Sequence, residues 1–176
     1  MILKLKRTPG IYLVGFMASG KTTIGRLLAD ELGWAFADLD ADIEAQQGRT
    51  IAEIFDTDGE DTFRKIERAA IQKRIDEVER GKPMVVALGG GAFALEANHA
   101  LLEDNGVTIW LDCPFPKVCS RVETATHRPL ARDSEKLKKL YEDRRAAYQK
   151  ADHSIQIDSD DPAAIVAAIL KLPVFS

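Results

Sequence analysis

The chain has 176 residues, 45% hydrophobic and 30% charged, ordinary proportions that exclude disordered, collagen-like and fibrous classes. Lys plus Arg number 24 and Asp plus Glu 28, a net charge of −4, so no basic excess points to nucleic acid or an anionic membrane surface. At about 150 residues per domain, the length predicts one domain over residues 1–176.

Five short apolar runs alternate with longer helical patterns. Ile11 to Val14 reads as the first strand. Gly15, Phe16, Met17, Ala18, Ser19, Gly20, Lys21 and Thr22 follow, matching the phosphate-binding pattern G-x-x-x-x-G-K-[ST]. A helix then presents Ile24, Leu27, Leu28 and Leu32 on one face and ends at Gly33. Ala35 to Ala37 is the second strand, with Asp38 and Asp40 just beyond it. The stretch 42–81 is too long for one crossover helix and predicts two or three, broken near Gly48 and Gly59. Met84 to Leu88 and Val107 to Leu111 are nearly all apolar, as parallel strands covered on both faces are. Residues 123–134 form a polar loop with two arginines, followed by a helix from about Ser134 to Ala151. Ser154 to Ile157 is the fifth strand, and the last helix opens at Asp160, Asp161 and Pro162 and stops before Pro173. This alternation implies an α/β fold, a parallel sheet with right-handed crossovers. Cys113 and Cys119 read as reduced thiols. No run is long enough to span a membrane and no cleavage site follows the N-terminal residues, so a cytoplasmic protein is expected.

The glycine-rich loop carries the first chemical signal. Its backbone N–H groups would point at phosphate oxygens, Lys21 would bridge the β- and γ-phosphates, and Thr22 would ligate Mg²⁺. A turn that merely caps a helix does not explain a lysine at the helix N-terminus, where a cation opposes the dipole. Such a loop serves hydrolases, switches and kinases alike; at 176 residues without a large effector region, a small-molecule kinase leads. No Asn-Lys-x-Asp base-reading motif supports a GTPase-like switch.

Asp38 and Asp40 sit where ligands bind in open α/β sheets, at the C-terminal end of a strand. In an extended segment both would point the same way, one toward a metal shell and one toward a substrate hydroxyl. Capping aspartates would be equally ordinary there. Arg64 and Arg144 fall on the apolar stripes of their helices, where a guanidinium needs an anionic partner. Glu67, one turn beyond Arg64, can pair with it; for Arg144 a ligand carboxylate is attractive, with snorkelling of the head group to water as the alternative. Gly89, Gly90 and Gly91 either let a ligand approach closely or adopt positive φ, or form a purely structural turn. Arg128 supplies a cation in a loop that suits a lid. His99, His127 and His153 have no metal-ligand spacing.

In this order the pieces resemble the shikimate kinase family along essentially the whole chain: the loop through Arg26, Asp38 and Asp40 with Ile43 and Glu44, Gly48 to Ile51 with Phe55, Gly59, Arg64 and Glu67, Leu88 to Gly91, Arg128 to Leu130, and Arg144 four residues before Tyr148. The resemblance implies a five-stranded parallel sheet flanked by helices on both faces, as in nucleoside monophosphate kinases. It also implies a helical substrate-binding segment at about 42–81 and a lid at about 123–134. The implied reaction moves the γ-phosphate of ATP to the 3-hydroxyl of shikimate, toward aromatic amino acids. It implies one Mg²⁺ per subunit bound with ATP, and a monomer without nucleic-acid or membrane partners. By the same resemblance, Ala18, Ser19, Gly20, Lys21, Thr22, Thr23, Arg121 and Arg128 bind ATP, and Thr22 and Asp38 serve the metal. Asp40, Arg64, Gly90 and Arg144 bind the substrate, with Lys21, Asp40 and Arg128 catalytic.

Three positions depart from the pattern. Ala18 replaces a glycine, at little cost if its φ is negative and about 1–2 kcal/mol if it is left-handed. Ala146 replaces a common proline, and Asp160 stands where some relatives carry arginine. None removes a group that the reaction needs. The rival readings are a related kinase such as a gluconate kinase, and a catalytically dead ligand-sensing module.

Overall fold

The structure, a computed structural model, describes residues 10–103, 105–126 and 134–175. Five strands, β1 (Gly10–Val14), β2 (Ala35–Asp38), β3 (Met84–Ala87), β4 (Val107–Asp112) and β5 (His153–Gln156), form one parallel sheet in the order β2-β3-β1-β4-β5. Ile11 pairs with Val85 on one side and Val107 on the other. Every residue of β1, β3 and β4 is buried, so helices cover both faces and the strands have no polar side to show. Strand order reverses at β1, with the chain first placing β2 and β3 on one flank and then β4 and β5 on the other. The crevice beyond the carboxyl end of β1 is therefore the expected ligand site.

The helices are α1 (Lys21–Leu32), α2 (Leu39–Gln47), α3 (Ile51–Asp58), α4 (Glu60–Glu79), α5 (Glu96–Glu103), α6 (Phe115–Thr126), α7 (Ser134–Tyr148) and α8 (Pro162–Leu170). The stretch 42–81 does hold helical segments broken at Gly48 and Gly59. Gly48 ends α2 at φ 67°, a left-handed turn open to glycine. Thr50 caps α3 by accepting from Glu53 N, and Asp161 caps α8 by accepting from Ala163 N ahead of Pro162.

Three expectations shift. β2 runs one residue further and α2 begins at Leu39, so Asp40 lies in a helix's first turn and not in an extended segment. α6 continues to Thr126, which assigns 123–126 to helix; 127–133, with Arg128, lie outside the described residues. α7 ends at Tyr148, before Ala151.

Candidate active site

The loop between β1 and α1 closes around Lys21. Its Nζ donates to the carbonyls of Gly15 and Phe16 at 2.7 and 2.9 Å. Burial lowers its pKa to about 8, against the opposing pull of Asp40 and Asp38. No side chain caps α1, so its first N–H groups face the crevice, an anion-binding arrangement. Ala18 has φ 59° and is the one non-glycine residue with positive φ among those described. The question left open by the sequence is thereby decided: the loop carries a left-handed alanine. Its carbonyl accepts from Arg121 Nη1 at 2.9 Å.

Asp38, the last residue of β2, does two things at once. Its Oδ1 caps α2 by accepting from Ala41 N at 3.3 Å, and its Oδ2 accepts from Thr22 Oγ1 at 2.8 Å. The capping expectation is thus met, by a side chain that also accepts from the Thr22 hydroxyl. Asp40 stands two residues further on, in the first turn of α2, its pKa raised mainly by burial and then by the Asp38 charge.

A cavity of about 180 Å³ opens beyond Asp40, walled by Phe55, Phe63, Arg64, Glu67 and Gly90. Arg64 Nη1 donates to Glu67 Oε1 at 2.9 Å, and Glu67 is 1% exposed. Burial raises the Glu67 pKa while Arg64 opposes the shift. The guanidinium groups of Arg64 and Arg144 converge on Gly91: a Cβ there would lie 2.6 Å from Arg64 Nη2 and 3.1 Å from Arg144 Nη2. At Gly89 a Cβ would lie 2.7 Å from Asp40 Oδ1. Gly89, Gly90 and Gly91 are absent from the positive-φ positions. At Gly89 and Gly91 charged side chains occupy the space a Cβ would need, whereas at Gly90 a Cβ would make only ordinary contacts.

On the other side of the loop, a cavity of about 350 Å³ is walled by Ala18, Thr23, Ile24, Arg121, Asp160 and Ile165. Asp160 draws in Lys117 at 3.1 Å and Arg121 at 3.6 Å. Between the two lies a cleft of about 370 Å³ over Ser19, Lys21, Thr22 and Asp38. This cleft shares Ala18, Gly20 and Thr23 with one cavity and Asp40, Gly89 and Gly90 with the other. The three spaces form a row with the phosphate-binding loop in the middle.

Sequence reasoning missed a second layer behind these residues. Tyr148 is buried, and its hydroxyl donates to the Gly90 carbonyl. Arg145 pairs with Asp112 at 2.6 Å. The signals were available: Asp112 ends an otherwise uncharged buried strand, and Arg145 lies four residues after Tyr141 on the inward stripe of α7.

A family model for shikimate kinase matches residues 17–172. The chain belongs to the shikimate kinase family. It is 41% identical over 161 residues to a shikimate kinase of Persephonella marina, covering 91% of this chain and 96% of that one. A shikimate kinase from Acinetobacter baumannii, solved in complex with shikimate, superposes with a TM-score of 0.83 at 34% identity. That match covers 93% of this chain and 92% of the other. A gluconokinase from Sinorhizobium meliloti gives 0.60 at 19% identity over 92% and 90%, a likeness of fold alone. Family and fold are as the sequence predicted, and the chain is an ATP-dependent kinase acting on a hydroxyl of shikimate. No helix among the described residues is long and apolar enough to cross a membrane.

Proposed function

We propose that the three spaces hold, in order, the adenine of ATP, its phosphates, and shikimate, so that the γ-phosphoryl group meets the 3-hydroxyl beside Asp40. The carrying observation is that Asp40 is the one ionisable side chain, beside Gly89 and Gly90, in the wall shared by the phosphate cleft and the cavity holding Arg64. A group there touches both reactants.

The backbone of Ala18, Ser19, Gly20, Thr22 and Thr23 and the uncapped end of α1 receive the phosphates, with Lys21 neutralising charge as it moves to the bridging oxygen. In this reading Arg121 packs on adenine and Arg128, in the segment after α6 expected to serve as a lid, meets the phosphates. Thr22 and Asp38 offer adjacent hydroxyl and carboxylate oxygens, the hard donors that Mg²⁺ takes; one such ion per subunit, when bound, spreads the negative charge of the transferring group. Arg64 and Arg144 form two forks for the shikimate carboxylate, and the Gly90 backbone meets its ring. Asp40 accepts a hydrogen bond from the 3-hydroxyl and takes its proton as the new P–O bond forms. Burial makes it a stronger base than a solvated carboxylate.

One domain over 1–176, with 42–81 as its substrate-binding segment, works as a cytoplasmic monomer in this reading. A coupled ADP-release assay with shikimate, quinate, gluconate and nucleoside monophosphates tests it. Shikimate should give the highest kcat/KM by a wide margin. Equal turnover of gluconate would overturn the placement of the acceptor.

A further inference from the structure

Arg144 and Arg145 are neighbours on α7 and reach different places. Arg144 reaches Gly90 and Gly91. Arg145 reaches the end of β4, where Nη1 and Nη2 meet Asp112 Oδ1 and Oδ2 at 2.6 and 3.3 Å. Asp112 is 5% exposed and also accepts from Gln156 Nε2 at 2.8 Å, so both of its oxygens are satisfied. The Arg145 guanidinium lies 4.9 Å from the Trp110 ring centroid and 5.5 Å from that of Tyr141. Its Nη1 donates to the Tyr141 hydroxyl, which in turn donates to the Cys113 carbonyl at 2.7 Å. One turn on, Tyr148 donates to the Gly90 carbonyl. Helix α7 is thus fastened twice beside β4 and once beside β3, the two strands that flank β1.

We infer that the Asp112–Arg145 pair is a positioning device for the acceptor: it fixes the rotation of α7 and thereby the reach of Arg144 toward the substrate carboxylate. Consecutive helix residues are about 100° and about 1.5 Å apart, so clamping residue 145 in two planar hydrogen bonds fixes the azimuth and height of residue 144. A forked pair restrains rotation as well as distance, which a point charge or an apolar contact does not. Among the described residues Arg64 pairs with Glu67 and Glu60, and Arg145 with Asp112, whereas no carboxylate pairs with Arg144. Its guanidinium donates to the Tyr148 hydroxyl of the same helix, so Arg144 takes its aim from α7 itself. This inference rests on the reading of Arg144 as a carboxylate ligand.

The test is steady-state kinetics of Arg144→Ala, Arg145→Ala, Arg145→Lys and the Arg144→Ala/Arg145→Ala double variant, with melting temperatures recorded. Arg145→Ala should raise the shikimate KM about tenfold while the ATP KM and kcat change less than about twofold. Arg145→Lys, keeping the charge but losing the fork, should fall between parent and alanine, and it supplies the comparison should the alanine variant not fold. In the Arg144→Ala background, losing Arg145 should add less than about twofold, because its effect runs through Arg144. An unchanged shikimate KM in both Arg145 variants, with a loss in Arg144→Ala, overturns the positioning role alone. Full additivity in the double variant does the same. No loss in Arg144→Ala overturns the carboxylate reading and this inference with it.

Discussion

Thr22 Oγ1 and Asp38 Oδ2 are joined by a 2.8 Å hydrogen bond, which ties the first turn of α1 to the end of β2. The bond bridges two segments separated by a helix and holds a hydroxyl and a carboxylate as an oxygen pair at the mouth of the phosphate cleft. Asp40, two residues on, lines both that cleft and the cavity beside Arg64. The two carboxylates are neighbours in sequence with different surroundings, so they should fail differently.

Asp38→Asn keeps the cap of α2 but weakens the metal side, so raising Mg²⁺ should partly restore its kcat. Asp40→Asn keeps the shape and loses the base, a deficit of about 10²–10⁴ in kcat that should persist at saturating Mg²⁺ and shikimate. Magnesium titrations of both variants check this. Rescue of Asp40→Asn alone would reverse the two roles.

Gly91→Ala should fold and fail selectively. The added Cβ would meet the ends of Arg64 and Arg144, which can swing aside, so the melting temperature should change little. The displaced guanidiniums should then raise the shikimate KM about tenfold or more, since sub-ångström alignment matters for a bound reactant. The ATP KM should stay unchanged. Calorimetry with shikimate and with nucleotide separates the two effects.

Ala18→Gly should stabilise the protein. Removing a left-handed Cβ at φ 59° relieves about 1–2 kcal/mol, offset by about 0.4–1 kcal/mol of added unfolded-chain entropy. The net is about 0–1.6 kcal/mol in favour of glycine, each kcal/mol being worth about 2–4 °C in melting temperature for a chain of this size. A scanning-calorimetry trace with a lower melting temperature would show that the loop does not hold the alanine left-handed in solution.

The pH profile of kcat/KM for ATP should have two limbs. Lys21 loses its charge as pH rises through about 8, so the alkaline limb should fall there in the free enzyme. At saturating ATP the bound phosphates favour the ammonium, and the alkaline limb of kcat should move upward. On the acid side Asp40 is protonated at higher pH than a solvated aspartate, because burial and Asp38 raise its pKa. Activity should therefore fade above the ordinary carboxylate range, and Asp40→Asn should abolish that limb. The same lysine shift has a stability sign. A depressed lysine pKa contributes stability above the unfolded value of 10.5, lost as pH falls through about 8. Lys21→Met should accordingly gain on the parent in melting temperature below pH 8.

Local patterns determined most of the fold and the nucleotide half of the site. Strand identity follows from runs such as Met84 to Leu88, buried on both faces, and helix ends from Gly33, Gly48 and Pro162, whose backbone preferences act within a few residues. The phosphate loop is likewise contiguous, from Gly15 to Thr22. What tertiary structure alone decided is whatever depends on distant segments meeting. The sign of φ at Ala18, the sharing of Asp38 between Thr22 and the α2 cap, and the convergence of Arg64 and Arg144 on Gly91 are of this kind. So is the Asp112–Arg145 pair, 33 residues apart. A charged side chain at a strand end or on a helix stripe announces only that some partner must exist, because an unpaired buried charge is too costly to leave. Sheet order, which sets β4 beside β1 and brings α7 across their ends, names the partner.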